Sequence, residues 1–134
     1  MGRLKNINLE NYRNFKNLNL EFNSKVNILN GINGSGKTNI LESISLFGKG
    51  RGFRNDKIKN MIKVGKNSFT NIAELEINNN LYNLKVLSQE KNNQHLKKIL
   101  INDNDSSDSK LFINSCLSFI YFLPEMERLF VSSP

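Results

Sequence analysis

The sequence predicts a mixed α/β fold organised around a phosphate-binding loop, and three observations predict it. Residues 31–38 read Gly-Ile-Asn-Gly-Ser-Gly-Lys-Thr and fit the pattern G-x-x-x-x-G-K-[ST]. Apolar spacing changes across that loop. Val26, Ile28 and Leu29 before it suit a short buried strand, and Ile40, Leu41, Ile44 and Phe47 after it fall on one face of a helix. Period-two alternation occurs upstream, at Leu18, Leu20 and Phe22, and again downstream, at Ala73, Leu75 and Ile77.

Taken in order, Arg3 to Tyr12 is the first predicted strand, with Leu4, Ile7 and Leu9 apolar. Asn14 to Asn17 is a turn, and Leu18 to Phe22 returns as the second arm of a hairpin. Asn23-Ser24-Lys25 turns the chain into the loop strand. The helix after Thr38 ends near Gly48, a residue suited to a helix stop. Lys49-Gly50-Arg51-Gly52-Phe53-Arg54 is a loop, and Ile58, Met61 and Ile62 predict a short helix. A second antiparallel hairpin joins Ala73–Ile77 to Leu81–Val86 through Asn78-Asn79-Asn80, with a further strand from Leu96 to Ile101. Asp103 to Lys110 reads as a solvated acidic turn. It opens like a calcium loop, but Asp108 stands where Gly is required and Asn114 where Glu is required. Leu117 to Leu123 is a predicted hydrophobic strand stopped by Pro124, and Glu125 to Val131 begins a helix. No internal repeat or linker divides the chain.

The loop's chemistry follows from geometry. The unpaired N–H groups at a helix start carry partial positive charge and attract anions. Gly31, Gly34 and Gly36 let the backbone approach a phosphate, the Lys37 ammonium reaches the outer phosphates, and the Thr38 hydroxyl takes one Mg²⁺ position.

The net charge of +7 and pI near 9.6 favour a polyanionic partner such as nucleic acid. A compositional bias toward Asn, Lys and Ile explains the same charge without a partner. The basic residues read as dispersed over loops and strand faces, which predicts binding to the nucleic-acid backbone without base readout. No apolar run approaches the roughly 20 residues that span a bilayer. Cys116 is the one cysteine and His95 the one histidine, so a disulfide framework and a cysteine zinc site are excluded. Cys116 reads as a buried core thiol, and the absence of disulfides fits the cytosol.

Four segments occur in a particular order: Asn11-Tyr12-Arg13-Asn14-Phe15, Gly34-Ser35-Gly36-Lys37-Thr38-Asn39-Ile40-Leu41-Glu42, Gly50-Arg51-Gly52-Phe53-Arg54 and Phe122-Leu123-Pro124-Glu125. Together they resemble the RecF family of bacterial DNA replication and repair proteins, relatives of the SMC-type ATPases. The resemblance implies a P-loop NTPase fold: the N-terminal lobe of an ABC/SMC-type ATPase head with an antiparallel β subdomain. The family's ABC signature, Walker B carboxylates and D-loop are not found, and Pro124 stands where a Walker B carboxylate would be aligned. The expectation is a truncated, single partial domain over 1–134, without the second lobe.

The resemblance further implies ATP with Mg²⁺, held by Gly31, Ile32, Asn33, Gly34, Ser35, Gly36, Lys37 and Thr38, with Thr38 meeting the metal. Arg13, Asn14 and Arg54 are expected as additional contacts, and Arg51 as a further nucleotide or DNA contact. Single-stranded or gapped DNA, the RecO and RecR proteins and an ATP-dependent homodimer are the implied partners. Recombinational repair and the SOS response in the cytoplasm are the implied role. The intact family is expected to be a weak DNA-dependent ATPase. No catalytic residue is assigned in this stretch, which is expected to bind without useful turnover. Two other readings stay open. A small P-loop kinase or GTPase needs an Asp-bearing strand soon after the helix, or Asn-Lys-x-Asp, and neither occurs. A basic DNA-binding module with an idle P-loop is the other.

Overall fold

Among the described residues five strands form one antiparallel sheet: β1 (Gly2–Tyr12), β2 (Phe15–Glu21), β3 (Thr70–Ile77), β4 (Asn80–Lys91) and β5 (Gln94–Ile101), in the order β2-β1-β3-β4-β5. The computed structural model of the chain describes residues 2–122. Two of the three hairpins close on asparagine pairs. Asn78 and Asn79 (φ 50° and 64°) lie between paired Ile77 and Asn80, and Asn92 and Asn93 (φ 51° and 59°) between paired Lys91 and Gln94. Two successive positive φ values make a type I′ turn, whose twist matches the flanking strands, and Asn tolerates that region better than most residues. Part of the asparagine excess is therefore turn chemistry.

One face of the sheet is buried. Ile7 and Leu9 of β1, Ala73, Leu75 and Ile77 of β3, Leu84 and Val86 of β4 and Ile101 of β5 all point into it. Among the described residues there are three helices: α1 (Lys37–Ser45), α2 (Ile58–Met61) and α3 (Ser107–Cys116). Leu46 and Phe47 after α1, Ile58 and Met61 of α2 and Ile113 of α3 join the same core cluster. Each such side chain contributes about 1.5–3 kcal/mol when fully buried, so this one-sided core ties the helices to the sheet. The segment after α2 also pairs with the end of β1: Arg13 N–H donates to Met61 O and Lys63 N–H to Asn11 O, both at 2.8 Å.

Several expectations need correction. The first turn is Arg13-Asn14 rather than residues 14–17, because Tyr12 already pairs with Phe15. Residues 26–29 are not a strand, and Val26 and Ile28 are 74% and 86% exposed. A buried strand needs neighbours for its N–H and C=O groups. Among the described residues no strand of the sheet β2-β1-β3-β4-β5 pairs with 26–29. Of the turn expected over 103–110, residues 107–110 are instead the start of α3. Ser106 caps it, accepting a hydrogen bond from Ser109 N–H at 3.4 Å, and Asp108 sits in the positively polarised first turn. Cys116 is exposed at the end of α3, whose one buried residue is Ile113. Residues 117–122 are not a strand: Leu117 and Phe119 pack on the core while Ile120 and Phe122 face outward. Leu123, Pro124 and the helix expected from Glu125 to Val131 lie outside the described residues.

Candidate functional site

The loop between β2 and α1 places one glycine where close approach demands it. Gly36 immediately precedes α1 with φ 102°, and a Cβ there would stand 2.5 Å from Phe15 Cζ and under 3 Å from the Asn14 amide. That residue is required by its backbone angle and by the β1–β2 turn packed on it. Gly34 also has positive φ (84°), but a Cβ there would meet nothing within 4 Å. A cavity of about 210 Å³ opens at this point, lined by Asn33, Gly34, Gly36, Lys37, Thr38, Asn39 and Arg54. The Lys37 ammonium folds across the loop and donates to the carbonyls of Gly31 and, at 2.8 Å, of Ile32.

The side-chain framework beside the loop centres on Glu42, which sequence spacing left off the buried face. The helix face expected to be apolar is rotated: Leu41 is half exposed, while Glu42 and Ser43 are fully buried. Four donors converge on the Glu42 carboxylate. Tyr12 Oη donates at 2.8 Å, Arg13 Nε at 2.9 Å, Arg13 Nη2 at 2.7 Å and Arg54 Nη1 at 3.3 Å. The Arg13 contact is a bidentate fork, the strong form of carboxylate recognition. Asp56 lies 3.0 Å from Arg13 Nη2. Burial opposes the Arg13 charge, but its hydrogen bond and attraction to Glu42, helped by Asp56, prevail and raise its pKa. Burial, then the charge and hydrogen bond of Glu42, push the Tyr12 phenol far up, so it remains a donor. Asp56 is held below the usual carboxylate range, chiefly by the Asn60 amide, with the Lys57 N–H and Arg13 contributing.

These contacts assign different places to the expected site residues. Arg54 does line the cavity, with Nη1 donating to Asn39 Oδ1 at 2.9 Å. Arg13 does not line it; its guanidinium holds Glu42. Arg51 donates to Asn55 Oδ1 at 3.1 Å and is also outside the lining. Asn14 braces the loop: its amide donates to Ser35 O at 3.4 Å and its Oδ1 accepts from Asn39 Nδ2 at 2.8 Å. Glu42 was missed because a glutamate in a helix is ordinarily a solvated residue. Its signal was the pair of arginines in the flanking segments, each needing a partner.

The site suits a polyphosphate. It combines an α-helix start, a glycine-lined opening, one lysine, one threonine hydroxyl and one arginine, with no acidic side chain in the cavity lining. For a divalent cation the same lining offers the Thr38 hydroxyl and no carboxylate, so oxygens of the nucleotide would complete the coordination. Among the described residues no group of His, Cys, Asp and Glu side chains could hold a metal by itself.

Basic charge is not evenly dispersed. Lys49, Arg51, Arg54, Lys57, Lys59, Lys63 and Lys66 fall between residues 49 and 66 against one acid, Asp56. That segment runs from the end of α1 past the cavity to β3.

Residues 3–118 match the family model described as RecF/RecN/SMC N terminal domain. The chain belongs to that family. RecF-named relatives are similar over nearly its full length. DNA replication and repair protein RecF of Rickettsia typhi is 37% identical over 130 residues, covering 97% of this chain and 35% of that protein. The Rickettsia conorii protein of the same name is 38% identical over 129 residues, covering 96% and 35%. The chain thus spans about a third of the length of these relatives. Two solved structures of the recombination mediator protein RecF in the RecFOR pathway are also similar. The RecF-ATP structure matches with a TM-score of 0.77 at 31% identity, covering 92% of this chain and 33% of that one. The RecF-ATPrS structure matches with a TM-score of 0.69 at 32% identity, covering 79% and 28%. The fold is that of the N-terminal lobe of an ABC/SMC-type ATPase head. No helix among the described residues is long and apolar enough to cross a membrane.

Proposed function

We propose that this chain is the ATP-binding lobe of a RecF-like DNA repair protein, with residues 31–38 holding the nucleotide phosphates. The observation that carries the reading is the cavity at the start of α1, where Lys37, Thr38 and Arg54 converge on glycine-rich backbone with no acidic side chain in the lining. Lys37 would exchange its carbonyl partners Gly31 and Ile32 for phosphate oxygens. Mg²⁺ would supply charge neutralisation between phosphates, with Thr38 as its protein ligand. Asn14 and Asn39 hold the loop and Arg54 in place for that contact.

The DNA partner, single-stranded or gapped, is proposed to meet the basic segment 49–66 through its phosphates. Association with RecO and RecR, an ATP-dependent homodimer and a part in recombinational repair and the SOS response belong to the same proposal. Hydrolysis is expected to be negligible for this chain alone. Phosphoryl transfer depends on positioned charge and an oriented water, the cavity lining includes no acid, and nearby Glu42 is fully engaged by Tyr12, Arg13 and Arg54.

Calorimetry of ATP·Mg²⁺ binding to the wild-type chain and Lys37→Ala tests the reading. Loss of one charge-assisted contact, worth about 1.5–3 kcal/mol, should weaken binding roughly 10- to 150-fold. Equal affinities would refute it. Phosphate release clearly above the Lys37→Ala level would refute the turnover part alone.

A further inference from the structure

Lys97 stands on the inward face of β5, opposite Ser88 of β4. Its ammonium donates to the carbonyls of Leu46 (2.9 Å) and Gly48 (2.8 Å), just past the end of α1. The last turn of α1 contains no basic residue of its own. A helix C-terminus leaves carbonyls without partners and favours a cation, and here a residue from a distant strand supplies one. Among the described residues Lys97 makes no ion pair, and burial lowers its pKa to about 8. An unpaired, partly buried ammonium is a poor way to gain stability.

What it holds is the start of the loop that returns to the cavity. From Gly48 the chain folds back along α1. Gly52 packs so closely on Ser45 that a Cβ would lie 2.8 Å from Ser45 Oγ, and Phe53 N–H donates to that same oxygen at 3.2 Å. One residue later Arg54 reaches Asn39 and Glu42. The loop is therefore pinned at its start by Lys97, at its middle by Ser45 and at its end by Asn39 and Glu42.

We infer that Lys97 is a positioning residue for the phosphate site, setting where Arg54 stands by fixing the point at which the loop leaves α1. The inference rests on the phosphate-binding reading of residues 31–38. It also makes β5 part of the nucleotide machinery, since a shift of β5 is passed through Lys97 to Arg54.

A double-mutant cycle on the full chain tests it. ATP·Mg²⁺ affinity is measured by calorimetry for wild type, Lys97→Met, Arg54→Gln and the double variant. Circular dichroism at the same temperature verifies folding. Lys97→Met should weaken binding about two- to fivefold, the range of a helix-terminal cation contact. Lys97→Arg, which keeps the donors, should retain most of the affinity. In the Arg54→Gln background Lys97→Met should have no further effect, because its influence passes through Arg54. If Lys97→Met does not fold, Lys97→Gln carries the same expectation. Equal weakening in both backgrounds, or no weakening in wild type, overturns the inference while leaving the phosphate site standing. A wild-type chain that binds no ATP overturns both.

Discussion

Replacing Glu42 by Gln removes one negative charge from a fully buried position and keeps the side chain's shape. In the wild type that carboxylate accepts two bonds from Arg13, one from Tyr12 and a longer one from Arg54. Charge-assisted bonds are worth about 1.5–3 kcal/mol each when taken singly. Their sum overstates the case, because the buried ions also lose hydration. Breaking one partner of a buried ion pair costs about 3–5 kcal/mol in total. Gln can still accept from Tyr12, and Asp56 still faces Arg13, so the expected loss lies at the low end, about 3 kcal/mol. With a urea slope near 2 kcal/mol/M, the midpoint should fall by about 1.5 M at unchanged slope. Adding Arg13→Gln to Glu42→Gln should cost much less than Arg13→Gln alone, giving a coupling of at least about 1 kcal/mol. The coupling to Arg54 should be smaller, since its contact is longer and its side chain is 34% exposed. A midpoint shift below about 0.3 M, the size of an ordinary surface substitution, would refute the assignment of Glu42 as the centre of this framework.

Other outcomes follow from the same contacts. Gly36→Ala should lower thermal stability by several degrees, because φ 102° and a 2.5 Å approach to Phe15 both reject a Cβ. Gly34→Ala meets open space and should lose only the smaller backbone term, about 1–2 kcal/mol; equal losses would contradict the packing described. Between pH 8 and 10.5 the folded state binds fewer protons at Lys97 than the unfolded state does, so stability should rise with pH there. Lys97→Met should flatten that part of a denaturation-versus-pH series, while Glu90 and His95 on the same sheet face and Lys59 of α2 are present in both proteins. Binding to single-stranded DNA should weaken linearly in log–log salt plots, and neutralising Lys59 and Lys66 together should reduce the slope by about 1.4. An unchanged slope would place the DNA elsewhere.

Local signals made most of the fold legible. Alternating apolar residues located β2 and β3 because one face of this sheet is buried and the other is not, the condition under which period two survives. The short helix at Ile58–Met61 and the loop at 49–54 were legible for similarly local reasons. What failed depended on partners distant in sequence. Val26, Ile28 and Leu29 have a strand's composition, but composition cannot say whether a neighbouring strand exists to pair with them. Residues 107–110 read as the end of a polar turn because their acid and serines are common to turns and to helix starts. Only the Ser106 cap and the run to Ile113 distinguish the two.

The candidate site divides along the same line. The phosphate loop is a contiguous pattern and was read whole. The arginines on either side were legible as a pair of unusual segments, but their division of labour was not. Arg13 and Arg54 both converge on Glu42, and only one of them opens onto the cavity. α1 therefore serves two sites at once. Its start presents N–H groups, Lys37 and Thr38 toward an anion, while one turn later Glu42 anchors the guanidinium that stands over that opening. The Glu42–Arg54 contact is longer than the Arg13 fork, and Arg54 is shared with Asn39. A polyphosphate arriving in the cavity would compete with Glu42 and Asn39 for Arg54, whereas Arg13 would remain on Glu42. That asymmetry makes Arg54 the member of the network free to follow the ligand, and Arg13 the one that keeps the buried charge compensated while it does so.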